Sequence, residues 1–198
     1  MMDGRTATVS RTTRETDIQL TIDLDGAGVT ELDTGVGFFD HMLDAFSRHA
    51  LFDMQVRCTG DLEVDAHHSV EDVGIVAGQA FAEALGDKRG IERFASAIVP
   101  MDEALVLCAI DISGRGQAHW DMDIPVDAIS TFDTQLAREF FIAFASNAGI
   151  TLHLRQLAGE NAHHLIEAAF KACGRALRYA VAVNPRTQDA IPSTKGAL

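Results

Sequence analysis

The stretch VDAHHSVED at residues 64–72 has a counterpart, ENAHHLIEA, at residues 160–168. This doubled Ala-His-His-x-x-Glu pattern is one of three segments that the chain writes twice. DIQLTIDLDGAG (17–28) resembles EALVLCAIDISGRG (103–116), with Gly26 on Gly114, Gly28 on Gly116, Glu15 on Glu103 and Arg5 on Arg93, an offset of 88. FFDHMLDAFSRHALFDMQVR (38–57) resembles EFFIAFASNAGITLHLR (139–155), with Phe46 on Phe144, Ala50 on Ala148 and Arg57 on Arg155, an offset of 98. His67, His68 and Glu71 then fall on His163, His164 and Glu167, an offset of 96. Three matches in one order, slipping by a few residues between segments, mark an ancient duplication with changes of loop length. Such a chain folds as two like units that bury the same faces.

Each unit reads as two strands, a helix, a strand and a helix. Period-2 alternation predicts strands over 5–12, 17–24 and 53–59, then 93–100, 104–113 and 150–156. Helices are expected near 38–48, 69–86, 133–147 and 161–182. Gly86 supplies a C-terminal stop, and Asn161 suits the N-cap of the last helix. Strand pairs joined by turns, with helices packed on one face, define an internally duplicated α+β fold. We divide the chain into a first half at 1–88, a second half at 89–183, and a tail at 184–198 whose two prolines favour an extended or looped path.

A chain of 198 residues, 47% of them hydrophobic, buries a sizeable core. The formal net charge of -13 repels nucleic acid and anionic membranes, so neither is an expected partner. A small phosphorylated substrate needs only a local basic pocket. Cys58, Cys108 and Cys173 are odd in number, far apart and in apolar settings, which reads as core thiols in a reducing compartment. The start lacks an apolar signal segment, and the apolar run ALVLCAI (104–110) is too short to cross a bilayer. These features place the protein in the cytoplasm.

On a helix, positions i and i+4 share a face while adjacent residues diverge by about 100°. His67 with Glu71 can therefore hold one ion, and so can His163 with Glu167. His68 and His164 point elsewhere, toward a second kind of ion position. His41, in FFDHML, is a further candidate ligand. Imidazole and carboxylate without thiolate suit Mn, Fe, Ni or Zn.

RTTRETDI (11–18), GVGFFDHML (35–43), DAHHSVEDVGI (65–75), GIERFASAIVPMDEAL (90–105), DISGRG (111–116), TLHLRQLAGENAHHLIEAAFKA (151–172) and IPSTKGAL (191–198) together resemble the imidazoleglycerol-phosphate dehydratases of histidine biosynthesis. The resemblance covers nearly the whole chain. It implies a dimanganese lyase in a hollow 24-subunit particle with active sites at subunit contacts. The reaction removes water from imidazole glycerol phosphate to give imidazole acetol phosphate. By motif, it makes His41, His67, His68, Glu71, His163, His164 and Glu167 metal ligands, with Glu71 and Glu167 also at the chemistry. Glu15 becomes an acid/base residue. Arg93, Arg115, Ser193 and Lys195 are implied to hold the phosphate, with Lys171 nearby. Two positions depart from the family pattern: Glu139 stands where a histidine is usual, and Ala45 where a glutamine is usual. Glu139 is the repeat mate of His41, so it is kept as a ligand position.

The chemistry accounts for the doubling. The hydrogen lost from carbon 2 lacks a neighbouring carbonyl, so the imidazole ring must act as electron sink. Metal at both ring nitrogens favours the imidazolate, which can expel the hydroxyl on carbon 3. Two like sites match two ring nitrogens. A dimetal phosphoesterase would share the metals and arginines, but no aspartate-rich hydrolase motif supports it. A non-enzymatic metal-binding assembly would have no use for the Ser-Thr-Lys tail.

Overall fold

The computed structural model describes residues 4–187 and 190–198; two positions of the tail, 188 and 189, lie outside the described residues. The first half forms β1 (Thr6–Thr12), β2 (Thr16–Asp23), β3 (Thr30–Asp33), α1 (Gly37–Ala50), β4 (Asp53–Gly60) and α2 (His67–Leu85). The second forms β5 (Phe94–Met101), β6 (Ala104–Asp111), β7 (Gln117–Asp121), the short β8 (Ala128–Ile129) and β9 (Phe132–Asp133), α3 (Gln135–Ala148), β10 (Thr151–Ala158) and α4 (Ala162–Ala180). The two main sheets have the same order, β1-β2-β4-β3 and β5-β6-β10-β7. Within each, the last strand runs parallel to its neighbour: β3 to β4 and β7 to β10. The duplicated α+β reading holds. It lacked β3 and β7, edge strands of only four and five residues, and the β8–β9 hairpin.

The register repeats as well. Arg11 pairs Ile18 in the first hairpin, and Val99 pairs Val106 in the second. Buried positions alternate along β2 and β6, and their inward faces carry Ile18, Leu20 and Ile22, or Val106, Cys108 and Ile110. Each sheet covers its helices on one face only. The helices pack crosswise between the two sheets: α1 lies on α4, and α2 on α3. A pseudo-twofold exchanges those two contacts.

Glycines let the crossings close. A Cβ at Gly174 of α4 would stand 2.3 Å from the Phe46 carbonyl oxygen of α1, and one at Gly78 of α2 would stand 2.5 Å from the Phe144 oxygen of α3. These are mates in the repeat. Phe46, Phe81, Phe140, Phe144 and Phe170 fill the space around the crossings in edge-on and stacked contacts. The three cysteines are buried and free. Ala45, where the family pattern carries glutamine, is buried on α1. His153 on β10 is exposed and stacks on His119 of β7, their ring centroids 4.3 Å apart. No helix among the described residues is long and apolar enough to cross a membrane.

Candidate metal and substrate site

Both His-His-x-x-Glu motifs open a helix. The Asn161 side chain caps α4 as expected, accepting the His163 and His164 backbone N–H groups at 2.9 and 3.2 Å. Within each motif the two rings diverge, standing nearly perpendicular with centroids 6.0 and 6.2 Å apart. One histidine of each pair therefore shares a face with its glutamate, and the other turns away, as helical geometry requires.

The shared faces are completed across the crossings. His163 Nε2 lies 2.9 Å from Glu167 Oε2, and His41 Nε2 of α1 lies 3.3 Å from the same oxygen. Donor atoms of these three residues fall within 4.8 Å of one another, the tightest such group among the described residues. Burial pushes the Glu167 carboxyl up, yet the Lys171 ammonium, followed by His163 and His41, outweighs it and holds the group below the usual range. Lys171 Nζ sits 2.7 Å from Glu167 Oε1, so it is placed at the metal motif rather than beside the other basic residues. The mate of this group is looser. His67 Nε2 stands 3.5 Å from Glu71, while Glu139 of α3 borders the same cavity as His67, about 500 Å³ in volume. Glu139 turns to Arg138 at 3.3 Å. One group thus offers two imidazoles and one carboxylate, and the other offers one imidazole with Glu71 beside it and Glu139 on the wall of the same cavity.

The diverging histidines are oriented by carboxylates. His68 Nδ1 contacts Asp61 at 3.0 Å, and His164 Nδ1 contacts Glu103 at 2.8 Å. Each Nε2 is thereby presented outward, the arrangement in which a supporting carboxylate sets a ligand's tautomer and basicity. The Asp61 hydrogen bond raises the His68 pKa, and the Glu103 bond raises that of His164. Glu103 itself, held by His164 and by the Asn161 backbone N–H, is lowered to about 2. This donor set, with its Nδ1 groups already engaged, fits a divalent transition metal. Asp61 escaped the sequence reading because no repeat or motif flags it. Glu103 was flagged as the mate of Glu15, but its grip on His164 was not.

Glu15 sits at the tip of the β1–β2 hairpin, its carboxylate exposed and 3.9 Å from His68 Nε2. The two hairpin glutamates therefore differ: Glu103 is hydrogen-bonded to its histidine at 2.8 Å, and Glu15 makes only the longer ion contact with His68.

The remaining basic residues gather elsewhere. Arg93, at φ +69°, forks onto Asp111 at 2.7 and 3.3 Å and donates to the Pro192 carbonyl at 2.8 Å. Arg115 reaches within 3.8 Å of Asp111, and Leu198 packs on Gly114. Ser193 and Lys195 share a turn of the tail, with the Ser193 Oγ accepting the Lys195 backbone N–H. The Arg93 backbone N–H bonds to the Ala180 carbonyl, at the C-terminal end of α4. Glu167 stands near the other end, so about 20 Å of helix, at roughly 1.5 Å per residue, separates the tail cluster from the metal group of the same chain.

Fold and site together define a duplicated α+β protein whose helix starts gather imidazole and carboxylate donors at the crossings of its two halves. Residues 34–177 match the model of the imidazoleglycerol-phosphate dehydratase family. The imidazoleglycerol-phosphate dehydratases of Jannaschia sp. and Acidiphilium cryptum are 62% and 60% identical to the chain, each over 98% of this chain and 100% of its relative. Crystal structures of the enzymes from Staphylococcus aureus and Pyrococcus furiosus superpose with TM-scores of 0.83 and 0.83 at 37% and 43% identity, covering 90% and 96% of this chain and 99% and 100% of theirs. The chain belongs to the imidazoleglycerol-phosphate dehydratase family.

Proposed function

We infer that the chain is a hydro-lyase that dehydrates imidazole glycerol phosphate to imidazole acetol phosphate in histidine biosynthesis. Family membership over nearly the full length carries this reading. The residues present suit the task. A hydrogen leaves one carbon of the glycerol chain and a hydroxyl leaves its neighbour that bears the ring, so water is lost and an enol remains that becomes the ketone.

Manganese is the ion we assign, as a hard divalent cation that accepts both imidazole and carboxylate. His41, His163 and Glu167 would hold one ion, and His67, Glu71 and Glu139 the other, with the outward Nε2 atoms of His68 and His164 as further ligands. Bound there, the metal supplies Lewis-acid stabilisation of charge on the substrate's ring. Glu15, exposed and otherwise unspent, is the group that moves the proton at the reacting carbon. Arg93, Arg115, Ser193 and Lys195 hold the phosphate, with arginine offering a planar fork and lysine a point charge. The chain works in the cytoplasm as a homo-oligomer, with 24 subunits as in the family pattern. The separation of the tail cluster from the metal group of its own chain supports a site shared between copies: the phosphate grip of one chain would meet the metal motif of the next.

Purified protein loaded with manganese should convert imidazole glycerol phosphate to a keto product without releasing inorganic phosphate. Glu15→Gln should keep metal and particle size yet lower kcat by about a hundredfold or more. Phosphate release by the wild type would replace the lyase with a phosphoesterase, and near-normal turnover by metal-replete Glu15→Gln would remove the acid/base role.

A further inference from the structure

The two halves hold their hairpins onto their helices in different ways. In the first half the buried Asp72 Oδ2 accepts from Thr16 Oγ1 at 2.5 Å and from the Arg11 guanidinium. Thr16 is 3% exposed and Asp72 7%. Arg11 and Thr16 lie on the two arms of the β1–β2 hairpin, and Asp72 lies one turn after His68 on the same face of α2. The duplication shows what stands at these places in the second half: Val99, Ala104 and Ala168, all buried and all apolar. Gly60 meets Thr16 and Ser69 in the first half, and Gly159 meets Ala104 and Leu165 in the second, so the correspondence is spatial as well as sequential.

A buried carboxylate is costly to desolvate, and an apolar replacement of an entire buried polar set is often neutral or stabilising. The second half demonstrates that this fold accommodates the apolar solution. Retention of the polar set beneath one hairpin therefore calls for a reason beyond packing. The hairpin tips supply it. Glu103 fastens its own hairpin, by contacting His164 and the α4 start. Glu15 makes no such side-chain hydrogen bond; its backbone carbonyl accepts from the Asp61 N–H at 3.1 Å, and its exposed carboxylate has only a 3.9 Å ion contact with His68.

We propose that Asp72, through Thr16 and Arg11, is the positioning residue that clamps the β1–β2 hairpin so that the Glu15 carboxylate is held in place yet left free to act. The clamp sits beneath the tip because the tip glutamate cannot both fasten the loop and serve the substrate. In the second half the tip fastens itself and the clamp is absent. The proposal rests on the reading of Glu15 as the acid/base residue.

The test uses manganese-loaded protein and five variants. Asp72→Ala should lower kcat by roughly tenfold to a hundredfold, the scale of a misplaced reacting group, with KM and bound manganese within about twofold of wild type. Asp72→Asn, which keeps an oxygen acceptor, should recover most of the loss. The combined Arg11→Val, Thr16→Ala, Ser69→Leu and Asp72→Ala protein, which installs the second half's own solution, should fold with a near-normal thermal midpoint and still show the low kcat; this guards against simple unfolding. Asp72→Ala placed on Glu15→Gln should add little further loss, because both act through one carboxylate. Wild-type kcat in the apolar graft, loss of manganese from Asp72→Ala, or an undiminished additional loss in the Glu15→Gln background would each overturn the clamp. Normal turnover by Glu15→Gln alone would instead remove the acid/base reading, and a low Asp72→Ala beside it would show that Asp72 acts by another route.

Discussion

The closeness of the helix crossings can be measured by one methyl group. Gly174→Ala places a Cβ 2.3 Å from the Phe46 oxygen and 3.1 Å from the Ala50 nitrogen. An ordinary contact is about 3.5 Å, so α1 and α4 must separate by roughly 1 Å. Neither obstacle is the end of a flexible side chain; both are helix backbone. Overpacking of this kind costs about 1–3 kcal/mol, while alanine in place of glycine within a helix returns up to about 1 kcal/mol. With backbone on both sides the upper part of that range applies, about 2–3 kcal/mol, so the net loss is about 1–2 kcal/mol, a fall in thermal midpoint of roughly 2–8 °C for a chain of this size. Function should follow, because α1 brings His41 to the Glu167 and His163 of α4. A wider crossing lengthens that contact and weakens metal binding severalfold. Thermal melts and manganese titrations at fixed protein and metal concentration test both effects. Gly37→Ala is the control, since no atom lies within 4 Å of its would-be Cβ; its midpoint should hold or rise. A Gly174→Ala midpoint equal to or above wild type would refute the packing argument.

Two further outcomes follow from the same geometry. Glu103→Gln should reduce metal affinity by about tenfold to a hundredfold, the usual effect of losing the carboxylate behind a ligand histidine, while Glu15→Gln leaves affinity unchanged; equal manganese titrations for Glu103→Gln and wild type would count against its orienting role. Chelation should shift the assembled particle toward smaller species on size exclusion, with recovery on adding manganese, because metal that binds the assembled state favours it by mass action. An unchanged large particle after verified metal removal would separate assembly from metal.

What the linear chain determines here is local and repeated. Alternation marks six strands, since a pleated surface half-buried in a core must alternate. The 3.6-residue period puts His67 with Glu71 and His163 with Glu167, and turns His68 and His164 aside; no tertiary contact is needed for that. Asn161 declares the start of α4 because few side chains can satisfy free N–H groups there. Other features depend on which surfaces meet. Periodicity states the face on which His41 lies but not that the face meets the opposite half; the glycine crossings decide it, and His41 joins His163 and Glu167 rather than His67 of its own half. Glu15 and Glu103 are equal in the repeat. Their difference arises because Asp61, from the turn after β4, takes the Nδ1 of His68 at 3.0 Å and leaves Glu15 only a 3.9 Å contact, whereas His164 has the hairpin tip to hold it. Arg93, Ser193 and Lys195 read in sequence as a grip on the phosphate, but where that grip lies is set by α4, whose end away from Glu167 receives the Arg93 backbone N–H. A helix is a rigid spacer, and its length sets that distance however closely the motifs belong together in the chemistry.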